Sequence, residues 1–355
     1  MTEKEVVQCD RSVLKRLVTA KLAGRDVDYV GAVKHETLPV PIALFKTDKS
    51  MRSGNKSALV NSLLNSSGVE IQNWIPAKPT NQSHHIVDLM FVLNLIRPLK
   101  TMKIFGEWSD AVCKYIYALL SDQIDIMGDR YDRKKSTKSN ARKSRASKSA
   151  KKTTKKKIRK VAVEKVIDRE TQLPANEEEW KLFLTLDVNK ERIQLLVGTD
   201  LIDKAPANKT IVVSGVFEDR TDIRSNKLPQ TELDKLQCDH EEADTRIVRS
   251  AVLNDLPRSV ILANDTDVLV SLLSNLEKAP HGKELYMRRA KHDILDVRRI
   301  GQGLIRNYHL SLPSLGIFHP LTGDDQNCFM HNRGKVICWD EFLKHHVSIL
   351  QRHSS

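Results

Sequence analysis

The chain has 355 residues, 40% of them hydrophobic and 29% charged, with a formal net charge of +13. This is enough polypeptide to bury a core in about two domains, which excludes small disulfide-stapled scaffolds and wholly disordered chains. The longest apolar stretch, Ile86 to Ile96, contains Asp88 and falls far short of the roughly 20 residues a membrane-spanning helix needs. The first 30 residues mix charges of both signs, so no secretory signal is expected. Five cysteines without CxxC pairing fit reduced thiols in a nuclear or cytoplasmic setting.

From residue 1 to 83 the pattern is helical. Leu14, Leu17, Val18 and Leu22 recur at helical spacing, as do Leu59, Leu63 and Leu64, and we read this region as an N-terminal helical appendage. A polar, proline-containing run, Asn73 to Ser83, separates it from a core expected over residues 84–345, followed by a short tail at 346–355. His84 and His85 read as a solvated pair at the start of that core. From Ile86 onward apolar runs alternate with helical patterns, which predicts an α/β fold: a central, mostly parallel sheet with helices on both faces. The strand candidates are HHIVD ending at Asp88, QIDIMGD ending at Asp129, KTIVVSG at 209–215, SVILAND ending at Asp265, and LGIFHPLTGDD running from Leu315 to Asp325. An amphipathic helix is expected from Glu107 to Leu120, with Trp108, Val112, Tyr115, Ile116, Leu119 and Leu120 in one stripe.

The charge is concentrated. Between Arg133 and Lys160 the chain carries 15 Lys and Arg and no acid; the rest holds 43 basic against 45 acidic residues. A Ser-, Thr- and Lys-rich segment of this kind cannot bury enough surface to fold alone, and its natural partner is a polyanion. Arg133, Lys134, Lys135, Lys138, Arg142, Lys143 and Arg145 are therefore the candidate phosphate contacts, and the same composition serves as a nuclear-localisation signal.

The densest motif is CDHEEADTRIVRSAV, residues 238–252. Asp239 as N-cap and Glu242 three residues on would form a capping box, yet Glu241 and Asp244 lie in the same first turn, more acid than a helix dipole needs. Next comes a D-x-D, Asp265 and Asp267, at the end of an apolar strand. Ligands of open α/β sheets bind beyond the carboxyl ends of the strands. Acids delivered there by several strands would repel one another unless they hold a divalent cation. No glycine-rich phosphate loop of the G-x-x-x-x-G-K kind and no local nucleophilic triad is present, and Cys328, His331 and Cys338 lack a fourth ligand at zinc spacing.

The succession IVD, IDIMGDRYD with a basic stretch after it, EEADT, NDTDVL and LTGDD resembles the PIN-like nuclease core of the flap endonuclease and XPG family of 5′ nucleases. Its HEEADTR, DTDVLV and HPLTGDD contexts also look like transposon-associated animal proteins carrying that core. The resemblance implies a metal site of Asp88, Asp129, Glu242, Asp244, Asp265, Asp267 and Asp325, with Glu241 as an alternative to Glu242. It implies two Mg²⁺ or Mn²⁺ ions, hydrolysis of phosphodiesters in DNA of single-stranded or branched character, and a basic clamp supplied by residues 133–160. The expectation is a structure-selective, metal-dependent nuclease, nuclear in location with the cytoplasm as the alternative. A catalytically inactive nucleic-acid-binding protein that keeps the core is the second reading. An RNase H-like transposase is the third, and it would require an opening run of antiparallel strands.

Overall fold

In a computed structural model of the chain, residues 3–28, 30–31, 43–46, 51–52, 54–131, 164–217, 223–238, 240–289, 293–324 and 327–351 are described. The four apolar runs between residues 83 and 262 are strands: β1 (Ser83–Asp88), β2 (Gln123–Met127), β3 (Thr210–Ser214) and β5 (Arg258–Leu262). Three short strands complete a seven-stranded sheet: β4 (Ile223–Ser225), β6 (Glu284–Arg288) and β7 (Ile294–Asp296). The order is β4-β3-β2-β1-β5-β6-β7, parallel throughout except for β4 and β7, which are antiparallel to their neighbours at the two edges. The fold is α/β. Since the chain leaves β1 for β2 and β3 on one side and places β5 and β6 on the other, the strand order reverses at β1.

Strand alternation divides the core. Val87, Ile124, Ile126, Ile211, Val213, Val260 and Leu262 share one face and pack with four helices. These are α3 (Leu89–Leu95), α4 (Phe105–Tyr117), α5 (Glu177–Phe183) and α6 (Asp187–Asp203), all following α2 (Ala58–Ser67) and α1 (Glu3–Leu22) in the chain, with Trp108, Trp180, Phe105 and Phe183 in mutual ring contact. The opposite face carries His84, Asp125 and Ser259, against α8 (Ala243–Leu253), which follows α7 (Gln230–Leu236). Further on come α9 (Thr266–Ser274), α10 (Val297–Tyr308), α11 (Leu315–Leu321) and α12 (Lys335–Gln351). Among the described residues no helix is long and apolar enough to cross a membrane.

Three expectations are corrected here. Leu315 to Asp325 is not a strand: a 3-10 turn with Pro313 at its start leads into α11, and the buried residues Leu312, Leu315 and Phe318 recur every third position, a helical repeat. The amphipathic helix begins at Phe105 and ends at Tyr117, so Leu120 lies beyond it, 77% exposed. The chain divides into two compact units, residues 1–59 with 317–355 and residues 60–316, rather than at 83/84 and 345/346. Most of α2 thus belongs with the sheet, because Leu63 and Leu64 are buried and the backbone of Ser67 lies where a side chain on Gly303 would have to go.

His84 and His85 are also not solvated. Both sit inside β1 and are buried. His84 Nε2 is 3.1 Å from Asp125 Oδ2, Ser250 Oγ donates to the same oxygen at 2.6 Å, and Gln123 Nε2 donates to Asp125 Oδ1 at 3.1 Å. Burial pushes the Asp125 carboxyl up, but His84 and these donors outweigh it and hold the group below the ordinary carboxylate range. A carboxyl depressed in the fold adds stability above its unfolded value of about 3.9, and that stability is lost as pH falls through the folded value. Asp125→Asn should therefore cost about 3 kcal/mol at pH 7 in urea denaturation, with a smaller cost below about pH 4. An equal cost at both pH values would contradict a lowered Asp125 carboxyl.

Candidate metal centre

Each acid is placed by an element end. Asp88 closes β1 and caps α3, its Oδ1 accepting from the Phe91 amide at 3.1 Å. Asp265 follows β5 and caps α9, accepting from the Asp267 amide at 3.0 Å, so Asp267 stands in the first turn of α9. Asp244 lies in the first turn of α8. One carboxylate oxygen from each of Asp244, Asp265 and Asp267 lies within 4.8 Å of the others.

Asp129 is placed by contacts far apart in sequence. Its Oδ1 accepts from the Ala243 amide at 2.9 Å, capping α8 from the end of β2. The main chain of Asp129 is gripped on both sides by Gln194 of α6, whose Oε1 accepts from the Asp129 amide at 3.1 Å and whose Nε2 donates to the Asp129 carbonyl at 3.3 Å. Tyr131 donates to Asp129 Oδ2 at 3.3 Å. Close approach of the β2 and β3 ends makes this possible. Gly215 has φ +83°, and a side chain there would meet the Gly128 carbonyl oxygen at 2.3 Å.

Burial and the negative charges of Asp129, Asp244 and Asp265 push the Asp88 carboxyl up to about 8, against the lowering effect of the Phe91 amide. Asp88 therefore feels the field of acids contributed by β2, α8 and β5. The structure gathers Asp88, Asp129, Asp244, Asp265 and Asp267 at the carboxyl ends of the central strands, where the strand order reverses.

Glu242 does not join the close group. It is the N-cap residue of α8, without a side-chain cap bond, instead of the third residue of a capping box, and Asp239 lies outside the described residues. The reason is tertiary: Asp129 caps Ala243, the Arg130 amide donates to the Glu241 carbonyl at 2.8 Å, and Arg246 donates to the His240 carbonyl at 2.6 Å, so residues 240–242 stay outside the helix. Asp325 lies outside the described residues, and so do Arg133, Lys134, Lys135, Lys138, Arg142, Lys143 and Arg145. Gln194 escaped the sequence reading. It is 1% exposed on the same helix as buried Ile193, Val197 and Leu201, and a glutamine set among such residues was the available signal.

An all-oxygen set of three close carboxylates, flanked by Asp88 and Asp129, fits a hard divalent cation such as Mg²⁺ or Mn²⁺. No family model, curated protein or solved structure matches the chain. Adding Mn²⁺ should raise the melting temperature of the wild-type protein by several degrees, as ligand binding to the folded state requires, and leave the Asp265→Asn/Asp267→Asn variant unmoved. An equal rise in both would place the ion elsewhere.

Proposed function

We propose that the chain is a divalent-metal-dependent nuclease with a PIN-like core, hydrolysing DNA phosphodiesters. The observation that carries this reading is the meeting of five aspartates, delivered by the ends of β1, β2 and β5 and by the first turn of α8, at the reversal point of a mostly parallel sheet. The parallel pairing of β1 with both of its neighbours is unlike the antiparallel opening of an RNase H-like transposase.

Asp244, Asp265 and Asp267 would hold Mg²⁺ or Mn²⁺, with Asp88 and Asp129 facing the same space. When bound, the cation lowers the pKa of a coordinated water and neutralises charge on a phosphodiester. The protein's own work is positional. Gln194 and the Ala243 amide fix Asp129, and the cap bonds to Phe91 and Asp267 fix Asp88 and Asp265, so the acids are set before any ligand arrives. The segment 133–160, entered directly after Asp129 and Tyr131, supplies the phosphate-binding charge and a nuclear-localisation signal.

Two measurements test the reading. Labelled single-stranded or branched DNA should be cut in Mg²⁺ or Mn²⁺ and left whole in EDTA, and Asp244→Asn or Asp265→Asn should each lower the rate at least about a hundredfold. Cleavage that survives in the Asp265→Ala/Asp267→Ala variant would remove the site. Deleting residues 133–160 should weaken DNA binding and flatten its dependence on salt, and an unchanged salt slope would remove the segment from the interface. The position of Glu242 outside the close group favours a second reading, a DNA-binding protein without catalysis, for which binding without metal-dependent cleavage is the expected result.

A further inference from the structure

A cavity of about 550 Å³ lies between the connection from α3 to α4, residues 97–103, and the segment 172–177 that leads into α5, with Trp180 of α5 behind them. None of the aspartates lines it. Two backbone hydrogen bonds of 2.9 Å join the walls, from the Leu173 amide to the Lys103 carbonyl and from the Phe105 amide to the Thr171 carbonyl, and Arg97 of one wall bridges to Glu177 of the other. Pro98 and Pro174, one in each wall, have a fixed φ and no amide hydrogen, which stiffens both stretches. The cavity is therefore set before anything enters it.

Charge and apolar surface together define what would fit. Lys100 and Lys103 line the cavity, and among the described residues neither ammonium group has a hydrogen-bond or ion-pair partner. Arg97 is answered by Glu177, which also pairs with Lys181, so the two lysines are the surplus positive charge. The floor is apolar: Leu173 and Trp180 are buried, Met102 is half-buried, and Leu99 is 62% exposed at the rim. Two unpaired cations beside an apolar cleft suit a ligand that brings carboxylates and an apolar side chain together. A nucleic-acid strand meets only the first requirement. Bases bind by stacking on exposed rings, whereas Trp180, the aromatic residue lining the cavity, is 4% exposed, and Glu177 would face the phosphates. Separate cationic points and an apolar floor call for several groups held in order on one backbone, as a short peptide supplies.

We propose that this cavity docks a short acidic segment of a partner protein, in which an apolar side chain seated against Met102, Leu173 and Trp180 is flanked by aspartates or glutamates that pair with Lys100 and Lys103. The proposal does not rest on the nuclease reading. Selection of a random peptide display library on the full chain in EDTA, with the Lys100→Glu/Lys103→Glu variant in excess as competitor, tests it. Peptides drawn by positive charge elsewhere on the chain bind both proteins and are removed. The survivors should carry Leu, Ile, Met or Phe flanked by acidic residues. A synthetic peptide of the enriched sequence should bind with a Kd of about 10–100 µM, and Lys100→Glu/Lys103→Glu and Leu99→Ser, each checked for an unchanged melting temperature, should loosen it at least about tenfold. Failure to obtain a peptide specific for the wild-type chain, survivors without acids, or undiminished affinity in either variant overturns the proposal. So does displacement of the peptide by a single-stranded oligodeoxynucleotide that binds the wild-type chain at least about tenfold more tightly than the Lys100→Glu/Lys103→Glu variant, a result that assigns the cavity to nucleic acid.

Discussion

Mutual repulsion of carboxylates is the constraint around which this molecule is arranged. Two unit charges about 4 Å apart cost roughly 4 kcal/mol at the effective dielectric of a protein surface, whereas an acid at a helix N-terminus gains about 0.3–1 kcal/mol from the dipole. Asp244, Asp265 and Asp267 lie within 4.8 Å of each other, so capping alone does not account for their company. The metal-free protein meets the repulsion partly by raising Asp88, which keeps a proton well above the usual carboxylate range. A divalent cation would relieve it more fully, and the surrounding contacts hold the acids close together.

Those contacts run between elements rather than within them. Asp129 ends β2, caps α8 and is clasped by Gln194 from α6, so three elements meet at one residue. Beneath them, Asp125 ties β2 to His84 of β1 and Ser250 of α8. A polar network at the middle of the sheet fixes how α8 sits on the strands, and thereby where Asp244 stands relative to Asp265.

Much of this was legible in the chain itself. β1, β2, β3 and β5 are apolar runs bounded by polar residues, the mark of strands covered on both faces, and the acids that end three of them were visible at once. β4, β6 and β7 were not, because two have only three residues each, and ELYMR in β6 has no clean alternation. LGIFHPL is as apolar as a strand, and only the burial of Leu315 and Phe318 three apart reveals a helix. The histidines of β1 were misjudged because partners at 121 and 125 are remote from them in sequence. Glu242 was misassigned for the same reason: the cap of α8 comes from Asp129, 114 residues away.

The most direct test is a crystal of the protein soaked in Mn²⁺ and measured at a wavelength where manganese scatters anomalously. The account predicts an anomalous peak among Asp244, Asp265 and Asp267, at roughly 2.0–2.3 Å from carboxylate oxygens of those residues. A manganese peak bound elsewhere on the molecule, with none between these three side chains, would contradict it.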